Sequence, residues 1–182
     1  MYKSVLVPIS QGTEDIEAVV IIDLLRRANY NVLVAGDAEI ITCSNGVRII
    51  PDKHIDEIPD NTEFDAIIIP GGMKGIDNLD LSEKLEFLLE RHNKAGRLIG
   101  AICAAPLLLL SKQLLPEGVA LTSHPDIKDS FAKFNYREEN VVISGNLITS
   151  RGVGTAIDFA LAIIESLKGK ELAEQIAKKI VY

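Results

Sequence analysis

The run AIIIP at residues 66–70 is apolar without interruption and stops at Pro70, Gly71 and Gly72. A strand with one wet face alternates apolar and polar residues, so an unbroken run points to a parallel strand covered by helices on both faces. Two further short apolar runs, KSVLVPI at 3–9 and RLIGAI at 97–102, repeat the signal. Helical spacing lies between them. Ile16, Val19, Val20, Leu24 and Leu25 mark a helix from Thr13 to Ala28, and residues 82–95 make a charged amphipathic helix capped by Gly96. Thr13 is the expected N-cap, with Glu14 and Asp15 on a solvated first turn where the helix dipole favours negative charge. NVLVAG, EIITCS and GVRII read as short strands, with Ser44, Asn45 and Gly46 turning a hairpin between the last two. Downstream, AAPLLLL has the composition of a buried helix, and VVISGNLIT reads as two strands joined by Gly145 and Asn146. RGVGTAIDFALAIIESL is a long helix opened by glycines, and residues 170–179 form a last helix that docks through Leu172, Ile176 and Ile180. Strands alternating with helices call for an α/β sandwich around an open, mostly parallel sheet.

A chain of 182 residues with no linker, repeat or low-complexity tract is expected to be a single domain, 1–182. Its 47% apolar residues supply a full core, and its net charge of −7 argues against a polyanion-binding surface. Nucleic acid is therefore not expected as a primary partner. The two cysteines, Cys43 and Cys103, are far apart and lack neighbours at zinc-site spacing, so neither a metal site nor a disulfide scaffold is expected. The N-terminal residues lack the apolar core and cleavage site of a signal peptide, and no apolar stretch reaches the ~20 residues of a membrane helix. A reducing cytoplasm is the expected compartment.

In sheets of this kind ligands sit outside the carboxyl ends of the strands. Residues 11–17, 70–72 and Cys103 all fall at such ends, so they are expected to converge on one crevice. Cys103 lies between a buried strand and a buried helix, which is the arrangement of a nucleophile elbow; the competing reading is a small core residue. Gly71 and Gly72 make either a plain turn or a source of bare N–H groups for an oxyanion. Glu17 borders the apolar face of the first helix, where burial would raise its pKa and let a protonated carboxyl donate to a thiolate. His124 is a loop residue, either solvated or a base within reach of a thiol, whereas His54 and His92 read as surface residues. The glycines of SRGVGTA lack the third glycine of a dinucleotide fingerprint, so no nucleotide cofactor is expected.

The ordered set GTEDIEAV, ITCSNGV, PGGMKG, AICAAP, TSHP and TSRGVGTAIDFALAII spans residues 12–164. It resembles the ThiJ/PfpI superfamily, and within it the branch of Parkinson disease protein 7 and the bacterial chaperone YajL. The resemblance implies a three-layer sandwich of flavodoxin-like, class I glutamine amidotransferase-like type. It also implies Cys103 as reactive nucleophile, Glu17 as its protonated partner, and His124 as a proton shuttle. Backbone donors would come from Gly71, Gly72 and Ala104, and Arg27 would be an anion-binding residue near the site. The implied activity is cofactor-independent glyoxalase or deglycase chemistry on methylglyoxal and glyoxal or their protein and nucleotide adducts, in a homodimer built on the first helix. A redox-sensing chaperone acting through oxidation of Cys103 is the alternative. Protease-like members carry histidine after the nucleophile; Ala104 stands there, against a peptidase. An amidotransferase subunit is disfavoured by Ala101 and Ala105 in place of flanking glycines. Asn45 replaces a family arginine, and Cys43 matches a second family cysteine near the dimer interface; its strand position equally fits a buried structural role.

Overall fold

The structure, a computed structural model, describes residues 3–182. In chain order the elements begin β1 (Ser4–Ile9), α1 (Asp15–Arg27), β2 (Asn31–Gly36), β3 (Ile41–Thr42), β4 (Arg48–Ile49), β5 (Lys53–His54) and β6 (Ala66–Ile69). They continue with α2 (Met73–Asp80), α3 (Glu83–Lys94), β7 (Leu98–Ile102), α4 (Pro106–Ser111), β8 (Ala120–Leu121) and β9 (Asn135–Tyr136). The last four are β10 (Val141–Ser144), β11 (Leu147–Ser150), α5 (Ala156–Lys168) and α6 (Lys170–Lys179). The central sheet has seven strands in the order β10-β11-β7-β6-β1-β2-β5, and only the β10–β11 hairpin is antiparallel.

The unbroken apolar run of β6 is explained by what covers it. Ala66 and Ile68 face a core layer shared with Ile21 and Leu25 of α1, Phe159 and Ile163 of α5, and Ile176 of α6. Ile67 and Ile69 face the opposite layer, built with Ile76 and Leu79 of α2, Leu85 and Leu89 of α3, and Leu108 of α4. The fold is therefore the expected three-layer α/β sandwich with a mostly parallel sheet. Among the described residues no helix is long and apolar enough to cross a membrane.

One helix is added to the expected elements, and three local expectations are corrected. Residues 73–80 form α2, a short helix entered through Gly72 at φ 92° that buries Gly75, Ile76 and Leu79; with only eight residues, it offers two large apolar side chains to mark its inward face. His92 is buried, not at the surface, because it follows Leu85, Leu88 and Leu89 on the inward stripe of α3. Its Nε2 donates to the Leu98 carbonyl at 2.8 Å, and burial lowers its pKa. Thr13 does not cap α1: Glu14 occupies the cap position, while Thr13 Oγ1 accepts from the Ser10 N–H at 3.0 Å. Asp15 is also buried, and it organises the β3–β4 turn by accepting from Asn45 N–H at 2.7 Å, Val47 N–H at 2.9 Å and Ser44 Oγ at 2.9 Å. Desolvation alone would raise its pKa, but those donors outweigh it and hold the carboxyl below its usual range.

Candidate active site

The chain turns sharply from β7 into α4 at Cys103, which sits at φ 63°, a left-handed conformation that a side-chain-bearing residue rarely adopts. The conformation is held from both sides. Its N–H donates to the Ser150 carbonyl at 3.1 Å, and its carbonyl accepts from the His124 N–H at 2.9 Å. The strain thus sits at a strand-to-helix turn that projects the thiol into a cavity of about 500 Å³. Glu14, Glu17, His124, Asn140, Arg151 and the 152–155 turn share that cavity.

Glu17 reaches the same point from the first turn of α1 and is 0% exposed. Its Oε2 accepts from the Gly71 N–H at 2.8 Å, whereas its Oε1 is buried without a hydrogen-bond partner among the described residues. Gly71 is bare for a steric reason. A Cβ there would lie 2.5 Å from Cys103 Cβ and 2.7 Å from Glu17 Oε2, so no side chain fits while the two groups stand this close.

Burial pushes Glu17 up to about 7; the Gly71 N–H and the Cys103 thiol oppose that rise, and the Glu14 charge adds to it. Burial also pushes the Cys103 thiol up, to about 12, reinforced by the Glu17 carboxylate and opposed by the N–H groups of Gly72 and Ala104. The Cys103 surroundings thus do not by themselves depress the thiol pKa. The two acids face each other, so their protons leave in two steps that belong to the pair. Burial lifts the first step above the ordinary glutamate range, and the second, which would leave two adjacent negative charges, lies far higher. The Coulombic part of the Cys103 rise exists only while Glu17 is ionised. With the remaining proton on Glu17, the contact becomes a donor onto sulfur, and the Gly72 and Ala104 N–H groups add to it.

His124 lines the cavity beside this pair. Its Nδ1 accepts from the Asp126 N–H at 3.3 Å, which leaves the proton of the neutral ring on Nε2. The structure does not bring Arg27 to the cavity. It lies at the far end of α1, exposed and paired with Asp23 at 2.6 Å, so the expected anion-binding residue is absent from this chain's site. Cys43 is buried beneath Glu14 and Asp15, and burial with those charges pushes its thiol up to about 11. His54 caps a single turn at 55–57, away from the site. Among the described residues no group of three or more His, Cys, Asp or Glu side chains is placed to hold a metal ion.

Asn140, Arg151 and the 152–155 turn were missed as cavity residues. A signal was available: β11 runs parallel to β7, so the segment after it opens at the same edge as Cys103. On sequence the glycines of that segment read as the opening of a helix and as an incomplete nucleotide fingerprint, and neither reading points to the cavity.

Residues 3–166 match the DJ-1/PfpI family. The chain is 40% identical to protein dj-1beta of Drosophila melanogaster, with 100% of this chain and 98% of that protein aligned. It is 41% identical to the glutathione-independent glyoxalase DJR-1.2 of Caenorhabditis elegans, over 93% of this chain and 91% of that protein. Against protein DJ-1 homolog B of Arabidopsis thaliana, also 40% identical, the chain spans only 40% of the relative's length. Among solved structures, oxidized Toxoplasma gondii DJ-1 superposes with a TM-score of 0.95 at 41% identity, covering 99% of this chain and 98% of that one. The fold, the family match and relatives aligned over nearly their whole length agree, and the chain belongs to the DJ-1/PfpI family.

Proposed function

We propose that this chain is a cofactor-independent glyoxalase in which Cys103 attacks 2-oxoaldehydes such as methylglyoxal and glyoxal, free or as adducts on proteins and nucleotides. The observation that carries the reading is the pairing of Cys103, held at φ 63°, with a buried Glu17 whose Oε1 has no other partner, in a cavity shared with His124. A relative named as a glutathione-independent glyoxalase supports the choice of substrate.

The Cys103 sulfur adds to the aldehyde carbon, and the new alkoxide is stabilised by the Gly72 and Ala104 N–H groups before it takes a proton. Gly71 has a different task, because its N–H holds Glu17 in place. The proton on the attacked carbon moves to the adjacent carbon and the hydroxyl proton moves to the former ketone oxygen, with His124 as the shuttle that gives up its Nε2 proton and takes another in return, so that the hemithioacetal becomes a thioester. One water then hydrolyses the thioester, releasing lactate from methylglyoxal and restoring the thiol. The test is lactate formation from methylglyoxal by the purified protein without glutathione; no lactate above the buffer rate would sink the proposal.

A second reading is favoured by the same unpaired oxygen. A cysteine sulfinate at Cys103, formed from the thiolate by two equivalents of peroxide with release of two waters, would find its partner in a protonated Glu17. That is the expected chemistry of a redox-sensing chaperone in the cytoplasm.

A homodimer belongs to the same proposal. Ile16 and Val19 lie on α1 next to the site and are 51% and 48% exposed, more apolar surface than one core-facing stripe leaves uncovered. Two-fold pairing is the commonest way to bury such a patch against its own copy. Light scattering at micromolar concentration should give twice the 19.8 kDa chain mass, and Ile16→Glu should give the monomer. A monomeric wild type would refute the dimer.

A further inference from the structure

We propose that Gly152 is the specificity-determining residue of this site, setting the size of the group that can accompany the carbon attacked by Cys103. The proposal rests on the glyoxalase reading for its substrates, but not for the space it describes. The backbone does not require glycine here. Gly152 has φ 163° and ψ −164°, an extended conformation open to any residue. Nor does packing require it: a Cβ would meet only His124 Cδ2 at 3.6 Å and Glu17 Oε1 at 3.8 Å, both ordinary van der Waals distances. Gly71 is the opposite case, since a side chain cannot be built there at all. The missing side chain of Gly152 therefore leaves open one space, between the ring of His124 and the unpaired oxygen of Glu17, in the wall of the cavity that Cys103 also lines.

That wall is fixed in position. The Gly152 N–H donates to Thr155 Oγ1 at 3.1 Å, and the Gly152 carbonyl accepts from the Thr155 N–H at 2.8 Å. Thr155 Oγ1 lies 2.7 Å from Oγ of buried Ser150, which itself donates to the Asn140 carbonyl at 2.6 Å. Ser150 also supplies the carbonyl that receives the Cys103 N–H, so nucleophile and wall are tied to the same strand end. A methyl added at 152 cannot be relieved by retreat of the turn without breaking this ring of bonds. It would stand where the substituent of a bound 2-oxoaldehyde must lie.

The test uses Gly152→Ala, with Gly152→Ser as a second variant of similar bulk should the first fail to fold. Glyoxal, methylglyoxal and phenylglyoxal are compared by kcat/KM, and Cys103 is separately alkylated with iodoacetamide and with the bulkier N-phenylmaleimide. Crowding of this size is expected to lower the phenylglyoxal-to-glyoxal ratio by about 10-fold or more. The ratio of maleimide to iodoacetamide rates should fall in the same sense, with the pH inflection of iodoacetamide alkylation unmoved. Equal loss on all substrates and reagents, or unchanged ratios, would overturn the proposal. A wild type inactive on every dicarbonyl would sink the glyoxalase reading alone, and the two alkylating reagents would then decide the role of Gly152.

Discussion

Replacing Cys103 by serine is expected to lower lactate formation from methylglyoxal by at least about 10³-fold, a loss typical of removing a nucleophile that no neighbour can replace. The serine oxygen occupies nearly the same volume and keeps the backbone bonds to Ser150 and His124, so the turn persists. What is lost is acidity: Glu17, Gly72 and Ala104 act on the ionisation of a thiol, and a hydroxyl stays protonated in the same surroundings. The measurement pairs turnover with urea unfolding, and an unchanged midpoint confirms that chemistry rather than folding was removed. Turnover within tenfold of wild type would exclude Cys103 as the nucleophile.

The second large effect is on stability and its pH dependence. Burial raises Glu17 from an ordinary value of 4.5 to about 7 in the folded protein, so the first proton of the Glu17–Cys103 pair leaves well above 4.5, whichever of the two groups gives it up. Between those values the native state binds more protons than the unfolded chain, so unfolding free energy falls as pH rises. The contribution is fully present below 4.5 and lost by the time the pH passes about 7, a change of about 3 kcal/mol. Glu17→Gln removes the titrating group while keeping an amide oxygen for the Gly71 N–H. Its stability relative to wild type should rise by about that amount between pH 4 and pH 8 in parallel denaturant titrations. Parallel curves would show that Glu17 titrates as an exposed carboxyl.

Both residues were visible in the sequence, for different reasons. Cys103 could be placed because RLIGAI and AAPLLLL announce a buried strand running into a buried helix, and ligand sites lie at that end of a parallel sheet. Glu17 could be placed because helical spacing sets it at the border of the apolar stripe of α1. Their mutual approach was not legible, since it depends on Gly71 having no Cβ between them, and nothing local distinguishes that glycine from a turn. Asp15 shows the same limit. On sequence it matches Glu14, but the fold folds the β3–β4 turn over it and supplies its donors from residues 44–47. His92 was misplaced because a histidine among charged neighbours looks solvated, although its spacing from Leu85, Leu88 and Leu89 already put it on the inward stripe. Arg27 was carried in by resemblance, and the length of α1 separates it from Glu17 within one chain. The mostly parallel sheet was legible because apolar runs such as AIIIP alternate with helical patterns along the chain, and the fold buries that run on both faces.

The central claim is that, after the pair loses its first proton, Glu17 keeps the remaining one and Cys103 is the thiolate. The most direct measurement is the rate of Cys103 alkylation by iodoacetamide against pH, in wild type and in Glu17→Gln. The expected wild-type inflection lies below the ~8.5 of a free cysteine: burial pushes the thiol up, but a proton kept on Glu17 and the Gly72 and Ala104 N–H groups all donate to the thiolate. In Glu17→Gln it should move above ~8.5, because burial still acts on the thiol and the carboxyl that holds the proton is gone. A wild-type inflection at or above ~8.5, or no movement between the two proteins, would contradict the claim.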